Sequence, residues 1–193
     1  MIELIRMESD PDRFVRAVAM KIDLGSGRSL LACSVHLRCC GAAGGREDLQ
    51  RIEEARMIHA ELGRYLKRWG CRDIVIGGDL NLVGSREPLE LLSAGLDPSG
   101  MDLAIARPVQ LDAERLATWA DPSGNAASAF TPGRLDWLLY SGSGLQPVQS
   151  FILDTTDLSP EDLESRRLEA GDTALISDHY PVVLDVRRRG ETP

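Results

Sequence analysis

Aromatic residues are scarce in this 193-residue chain: three Phe, three Trp and three Tyr, 5% of the total. So few rings make a poor stacking platform for unpaired bases and disfavour a repair-type nuclease that grips single strands. Positive charge is in deficit as well. With 22 Lys and Arg against 30 Asp and Glu the formal charge is −8, which argues against a tight, sequence-independent hold on a polyanion. No long run of like charge occurs, and Arg187–Arg189 reads as a solvated tail rather than a strong nucleic-acid-binding patch. Apolar runs are far too short to cross a bilayer, so no transmembrane segment is expected. The opening MIELIRMESDPDR lacks the apolar core of a signal peptide, although a start upstream of Met1 would leave secretion open. Cys33, Cys39, Cys40 and Cys71 have neither CxxC nor Cys/His zinc spacing. Adjacent Cys39 and Cys40 are poor partners for each other, and Cys33 reads as a small core residue.

What is present suits one substantial core and a single domain over residues 1–193, with 43% apolar and 27% charged residues. FVRAVAMKID (14–23) and SLLACSVH (29–36) read as a hairpin across the turn LGSGRS. A helix follows from about Glu47 to Trp69, with Ile52, Ala55, Ile58, Leu62, Tyr65, Leu66 and Trp69 on one 3.6-period stripe and Gly70 ending it. His59 lies at the edge of that stripe as a packing histidine. DIVIGGDLN (73–81) is a buried β-branched strand running into paired glycines. Ser85 is the expected N-cap of a short helix over 86–93, with Pro88 in its first turn. Residues 97–132 are the least regular, with a helical turn near Asp112–Ala117 the most that the pattern supports. Strands at 134–141 and 147–153 follow, then a short acidic helix capped by Ser159 with Pro160 at its first position, and a last strand from Pro181. Strands mixed with helices indicate an α/β (α+β) sandwich.

Polar groups gather at four strand ends: His36, Asp79 with Asn81, Asp136, and Asp178 with His179. Each has an ordinary reading taken singly. His36 could be a satisfied core histidine, and Asp79 and Asn81 could bond local backbone amides at a turn. Asp178 and His179 could be turn residues ahead of Pro181. Asp136 in an apolar strand needs a partner, because an unpaired buried carboxylate is costly. Together the ordinary readings strain, since two of three histidines and three carboxylates share this placement. A carboxylate and an amide spaced by two at a strand end suit a hard cation and a phosphoryl oxygen.

SVHL (34–37), GGDLN (77–81), GRLDWLLYS (133–141) and SDHYPV (177–182) together resemble the motifs of the endonuclease/exonuclease/phosphatase superfamily, in that family's order and from about Arg16 onward. The resemblance implies a deoxyribonuclease-I-like α/β/β/α sandwich of two mixed sheets and a divalent-metal phosphoesterase that attacks the phosphoester in line with water. It implies Asp178 as a ligand of Mg2+ (or Mn2+), with oxygen donors favouring these ions over zinc. Asp79 and Asn81 would orient the attacking water and the scissile phosphate and touch the metal. His179 would be the catalytic histidine, held and kept basic by Asp136, either as a base or as a stabiliser of developing charge. His36 would face the phosphate, as would Arg16, although Arg13 is near enough to compete for that role. The implied partner is a phosphoester substrate: a small molecule, a lipid headgroup or nucleic acid. Trp119, Asn125 and Phe130, in the irregular stretch, are where substrate choice could lie.

One departure stands out. The family domain begins about a hundred residues earlier, a distance judged from typical domain size, with one strand carrying an Asn and another a metal-binding Glu. Neither is matched here, since Glu3 and Glu8 lie too close to the hairpin. The chain therefore reads as an N-terminally incomplete domain, about its C-terminal two-thirds, expected to expose apolar sheet surface and bind metal weakly. A truncated or mis-started product, a piece of a longer chain and a short variant paired with another subunit all fit. The alternative function is a catalytically impaired fragment or a non-catalytic binding domain that keeps the fold.

Overall fold

In the structure, a computed structural model, residues 2–7, 10–111, 115–121 and 132–190 are described. They fall into two compact units, each assembled from separate stretches of chain. The first comprises Met1–Ile105, Trp137–Gln146 and Arg187–Pro193, the second Ala106–Asp136 and Pro147–Val186.

The first unit is organised by a six-stranded mixed sheet in the order β1 (Ile2–Met7), β2 (Asp10–Gly25), β3 (Arg28–His36), β4 (Asp73–Asp79), β6 (Asp136–Tyr140), β5 (Ala104–Ile105). β2 and β3 form the expected hairpin; β3 and β4 run parallel, joined by helix α1 (Arg46–Trp69). Parallel neighbours need a long crossover of this kind. Ala55, Ile58 and Leu62 on α1 are fully buried with Ala19, Leu31, Ile74, Ile76 and Leu139 of the sheet. The helical stripe read from the sequence is thus the face that covers the sheet. Gly70 ends α1 in the left-handed region at φ 64°, and Lys21 Nζ donates to the Trp69 carbonyl at 2.8 Å. Cys33 is a core residue, its thiol pushed up to about 12 by burial.

Strand β1 and the start of helix α2 differ from the sequence reading. Strand β1 was unforeseen; it pairs antiparallel with β2, Leu4 opposite Val18, so a segment that looked merely charged becomes an outer strand. Helix α2 (Glu87–Ser93) has Arg86, not Ser85, at its N-cap position and no side-chain cap. Ser85 instead donates through N–H (3.0 Å) and Oγ (3.3 Å) to the buried Asp48 carboxylate. Those bonds, with the Gly44 N–H, hold Asp48 below the usual carboxylate range. His59 bonds the Ala94 carbonyl at 2.7 Å, a structural tie.

Asp97 anchors the loop after α2. Burial would raise its carboxyl, but hydrogen bonds from Ser143 and Ser99 outweigh that and hold it at about 2.

The second unit has little regular structure. It holds most of β7 (Leu145–Ile152) and β8 (Val182–Arg188), which form a two-stranded sheet, with α3 (Pro160–Arg166) and α4 (Asp172–Ile176). Ser159 caps α3 as expected, accepting from the Asp162 N–H at 3.1 Å; α4 was not foreseen. Its interior is polar: Thr155 and Thr173 are buried with their hydroxyls 3.2 Å apart, and Gln110 donates to the Ala117 carbonyl at 3.0 Å. Of the helical turn expected near Asp112–Ala117, residues 112–114 lie outside the described residues, as do Asn125 and Phe130, and Arg115–Ala117 form no helix.

Candidate functional site

The candidate residues form two clusters, one in each unit. In the first, the parallel register sets His36 opposite Asp79, so the ends of β3 and β4 present both side chains at one edge. Gly78 permits this. Its φ is 143°, and a Cβ there would collide with the Val35 carbonyl. Only glycine tolerates that conformation and that approach.

Beyond β4 the chain turns through Asn81, in the left-handed region at φ 47° and almost fully buried. Its N–H donates to Asp79 Oδ1 at 2.8 Å, an Asx-type turn. Nδ2 donates to Asp79 Oδ2 at 2.7 Å and to the Leu37 carbonyl at 3.1 Å. Both partners are acceptors, so the amide orientation follows from its bonds and both Nδ2 hydrogens are committed. Oδ1 is the atom left to act, and it accepts.

Arg16, on β2, reaches the same edge. NH2 donates to the Leu37 carbonyl at 3.2 Å, and NH1 lies 3.5 Å from His36 Nε2. Asp79 Oδ2 lies 3.6 Å from the same nitrogen. Nε2 therefore sits between a donor and an acceptor, and its tautomer decides which it engages. The His36 side chain is half exposed and that of Asp79 largely covered.

Behind this edge α1 carries a buried polar tie that sequence reasoning missed. Arg51, fully buried, donates to the carbonyls of Arg38 (2.9 Å) and Cys40 (2.7 Å) and pairs with Asp48 at 3.1 Å. Asp48 in turn receives Ser85, so one ion pair braces the chain just after His36 and just after Asn81. A charged pair three residues apart on a helix looks like a surface pair in sequence, which hid it.

In the second cluster, His179 Nδ1 lies 2.8 Å from Asp136 Oδ2, the partner that Asp136 was expected to need. The missed member is Thr118. Its fully buried hydroxyl donates to Asp136 Oδ2 at 2.7 Å and accepts the N–H groups of Asp136 (2.9 Å) and Leu135 (3.0 Å). The carboxylate is thereby clamped before it meets the imidazole. Backbone bonds complete the frame: Thr118 N–H to the Gly133 carbonyl, Tyr180 N–H to the Thr118 carbonyl and Ala120 N–H to the Asp178 carbonyl, at 2.8 to 3.0 Å. Trp119 Nε1 donates to Asp178 Oδ2 at 2.8 Å, leaving the other carboxylate oxygen to a ligand or solvent. The signal for Thr118 was faint: one hydroxyl beside an aromatic in an irregular stretch.

Whether these residues fit a resident cation can be judged from the donor set. Asp178, Asp79 and Asn81 offer hard oxygens, yet among the described residues no three His, Cys, Asp or Glu side chains converge as a cation site. Neither cluster by itself forms a self-contained metal cage among the described residues.

A sequence profile described as the Endonuclease/Exonuclease/phosphatase family matches residues 9–179. No curated protein matches the chain. Among solved structures, an endonuclease/exonuclease/phosphatase from Bacteroides vulgatus is 17% identical with a TM-score of 0.59, covering 98% of this chain and 64% of that one. D. rerio TDP2 complexed with single strand DNA product is 14% identical with a TM-score of 0.54, covering 97% and 67%. The human Nocturnin catalytic domain with bound sulfate anion is 20% identical with a TM-score of 0.50, covering 89% and 52%. At such identities the likeness speaks for the fold. The chain spans between about half and two thirds of the length of these structures.

Proposed function

The chain belongs to the Endonuclease/Exonuclease/phosphatase family, and from that premise we propose that it hydrolyses a phosphoester by attack of an activated water in line with the leaving oxygen. The observation that carries this reading is the Thr118–Asp136–His179 chain of hydrogen bonds. A carboxylate fixed by a buried hydroxyl and bonded to Nδ1 keeps that nitrogen protonated and leaves Nε2 as the basic atom. Nε2 then takes the proton of the attacking water, or stabilises charge as it develops on the phosphoryl oxygens.

In the first unit, Asn81 Oδ1 is an acceptor fixed by the bonds of its amide to Asp79 and Leu37, suited to orient a water bound at that edge. Arg16 supplies positive charge, and Arg16 and His36 offer donors to the phosphate oxygens, where a preorganised donor is worth most. By the family resemblance, Asp178 in the second unit and Asp79 and Asn81 in the first are the oxygen donors that would hold Mg2+ (or Mn2+), which would supply neutralisation of charge on the phosphoryl group. A phosphodiesterase or phosphatase acting on a small phosphorylated molecule or lipid headgroup suits the −8 charge better than a nuclease.

A second reading, a binding domain that keeps the fold without turnover, draws on one observation: no three ligating side chains converge among the described residues. Hydrolysis of bis-p-nitrophenyl phosphate with added Mg2+, measured beside His179→Ala, separates the two. The hydrolytic reading expects turnover by the natural chain that largely disappears in the variant. Equal rates in the two proteins, or no rate in either, would favour the binding domain.

A further inference from the structure

Past the end of β3 the chain keeps its pairing for one more residue: the Leu37 N–H donates to the Asp79 carbonyl at 2.9 Å. Side chains therefore go on alternating, with Val35 and Leu37 buried and His36 and Arg38 exposed. Arg38 thus stands on the same side of the chain as His36, two residues further on and within the first unit.

Two buried charged side chains of α1 fix the Arg38 backbone from both ends. Glu54 Oε2 accepts the Arg38 N–H at 2.8 Å, and the fully buried Arg51 donates to the Arg38 carbonyl at 2.9 Å. Each clamp is itself held: Gln50 donates to Glu54 Oε1 at 3.0 Å, and Asp48 pairs with Arg51. Buried charges are costly even when paired. Here they pin the backbone of an exposed residue whose guanidinium makes no hydrogen bond or ion pair with another described residue. The nearby Cys40 thiol is pushed up by its bond to Cys39, so it stays protonated and supplies no counter-charge.

We propose that Arg38 is a substrate-binding residue that receives a second phosphoryl group, beside the one met by Arg16 and His36. This rests on the phosphoester reading of that edge. Two residue steps of an extended chain span about 6.6 Å, a separation suited to the neighbouring group of a diphosphate rather than to another oxygen of the same phosphate. A guanidinium fork pairs with two phosphoryl oxygens at once and keeps its charge at any working pH. A side chain on a pinned backbone also loses less freedom on binding than one on a mobile loop. The substrate class named by this arrangement is a phosphoester with a second phosphoryl group next to the scissile one.

The test is isothermal titration of the full chain with sodium pyrophosphate and with sodium phosphate, in chelator so that no divalent cation contributes. Pyrophosphate should occupy one site and bind at least about tenfold more tightly than phosphate. Arg38→Ala should reduce that preference to within about twofold, and Arg38→Lys, which keeps the charge without the fork, should retain about threefold. Arg56→Ala removes the same charge from the exposed face of α1 and should leave both affinities within about twofold of the natural chain. His36→Ala should weaken both anions together. A pyrophosphate preference that survives Arg38→Ala, an equal loss in Arg56→Ala, or a full chain that binds no pyrophosphate would overturn the proposal. So would a His36→Ala variant that binds pyrophosphate as tightly as the natural chain, which would place the anion elsewhere. Turnover of bis-p-nitrophenyl phosphate with Mg2+ judges the hydrolytic reading separately. An active chain whose preference survives Arg38→Ala loses this inference and keeps that reading. A chain without turnover whose preference depends on Arg38 loses the hydrolytic reading and keeps the two-phosphoryl site.

Discussion

The two clusters of candidate residues are held by different physics. His36, Asp79 and Asn81 stand on the ends of parallel strands whose undersides are Leu31, Ile74 and Ile76, fully buried against α1. There the hydrophobic core sets the backbone and the backbone sets the site. Asp136 and His179 belong to a unit of short bridges and buried hydroxyls, in which one Thr118 side chain joins three groups. The first cluster should therefore resist the loss of any one polar contact and yield to damage in the core. The second should behave the opposite way.

The largest effect expected is from His179→Ala, which removes the group proposed to handle the proton and should lower turnover by about 10²–10⁴-fold. The melting temperature should fall only modestly, since Asp136 loses the imidazole but keeps the Thr118 hydroxyl. Steady-state kinetics and a thermal melt on one sample would show this split. Leu62→Ala attacks the other cluster through its foundation. Truncating this fully buried side chain should cost about 2–5 kcal/mol in a urea titration.

Thr118→Val comes next and sharpens the contrast most, because it keeps the shape and deletes only the hydroxyl. Loss of its bonds should cost about 1–3 kcal/mol. Turnover should fall about tenfold, the equivalent of roughly 1.4 kcal/mol at the transition state. Thr118→Ser should restore both. A merely structural Thr118 would leave the pH–rate profile unchanged in the Val variant, whereas a clamp on Asp136 shifts it.

The smallest effect is an acid one. Asp97 is held at about 2, below its unfolded value near 3.9, so its contribution is complete above about pH 4 and fades as pH falls toward 2. Denaturant titrations at stepped pH should show that slope in the natural chain and a shallower one in Asp97→Asn.

The same contrast explains what could be read from sequence. The hairpin, α1, β4 and the Ser159 cap follow from local periodicity and turn chemistry, and each lies within a few residues of its expected place. The family motifs named His36, Asp79, Asn81, Asp136, Asp178 and His179 as candidates, and Thr118 lay outside them. What stayed hidden was long-range pairing of polar groups. Ser85 looked like a helix cap because its neighbours in sequence suggested it, but Asp48, 37 residues away, claimed it. Thr118 is 18 residues from Asp136 and Arg51 is 13 from Arg38, separations at which periodicity is silent. Strand β1 went unread because its charged residues masked a pairing that only β2 could provide.

The central claim is that the Thr118–Asp136–His179 chain of hydrogen bonds serves one hydrolytic step, and a double-mutant cycle inside that cluster tests it most directly. Asp136→Asn removes the carboxylate charge beside Nδ1; His179→Ala removes the imidazole. With kcat/KM on bis-p-nitrophenyl phosphate as the readout, residues acting as a unit give strongly non-additive losses. The account predicts that each single variant is severely slowed and that the double variant is slower than the worse single by no more than about threefold. Losses that simply multiply, or an Asp136→Asn enzyme as fast as the natural chain, would contradict it.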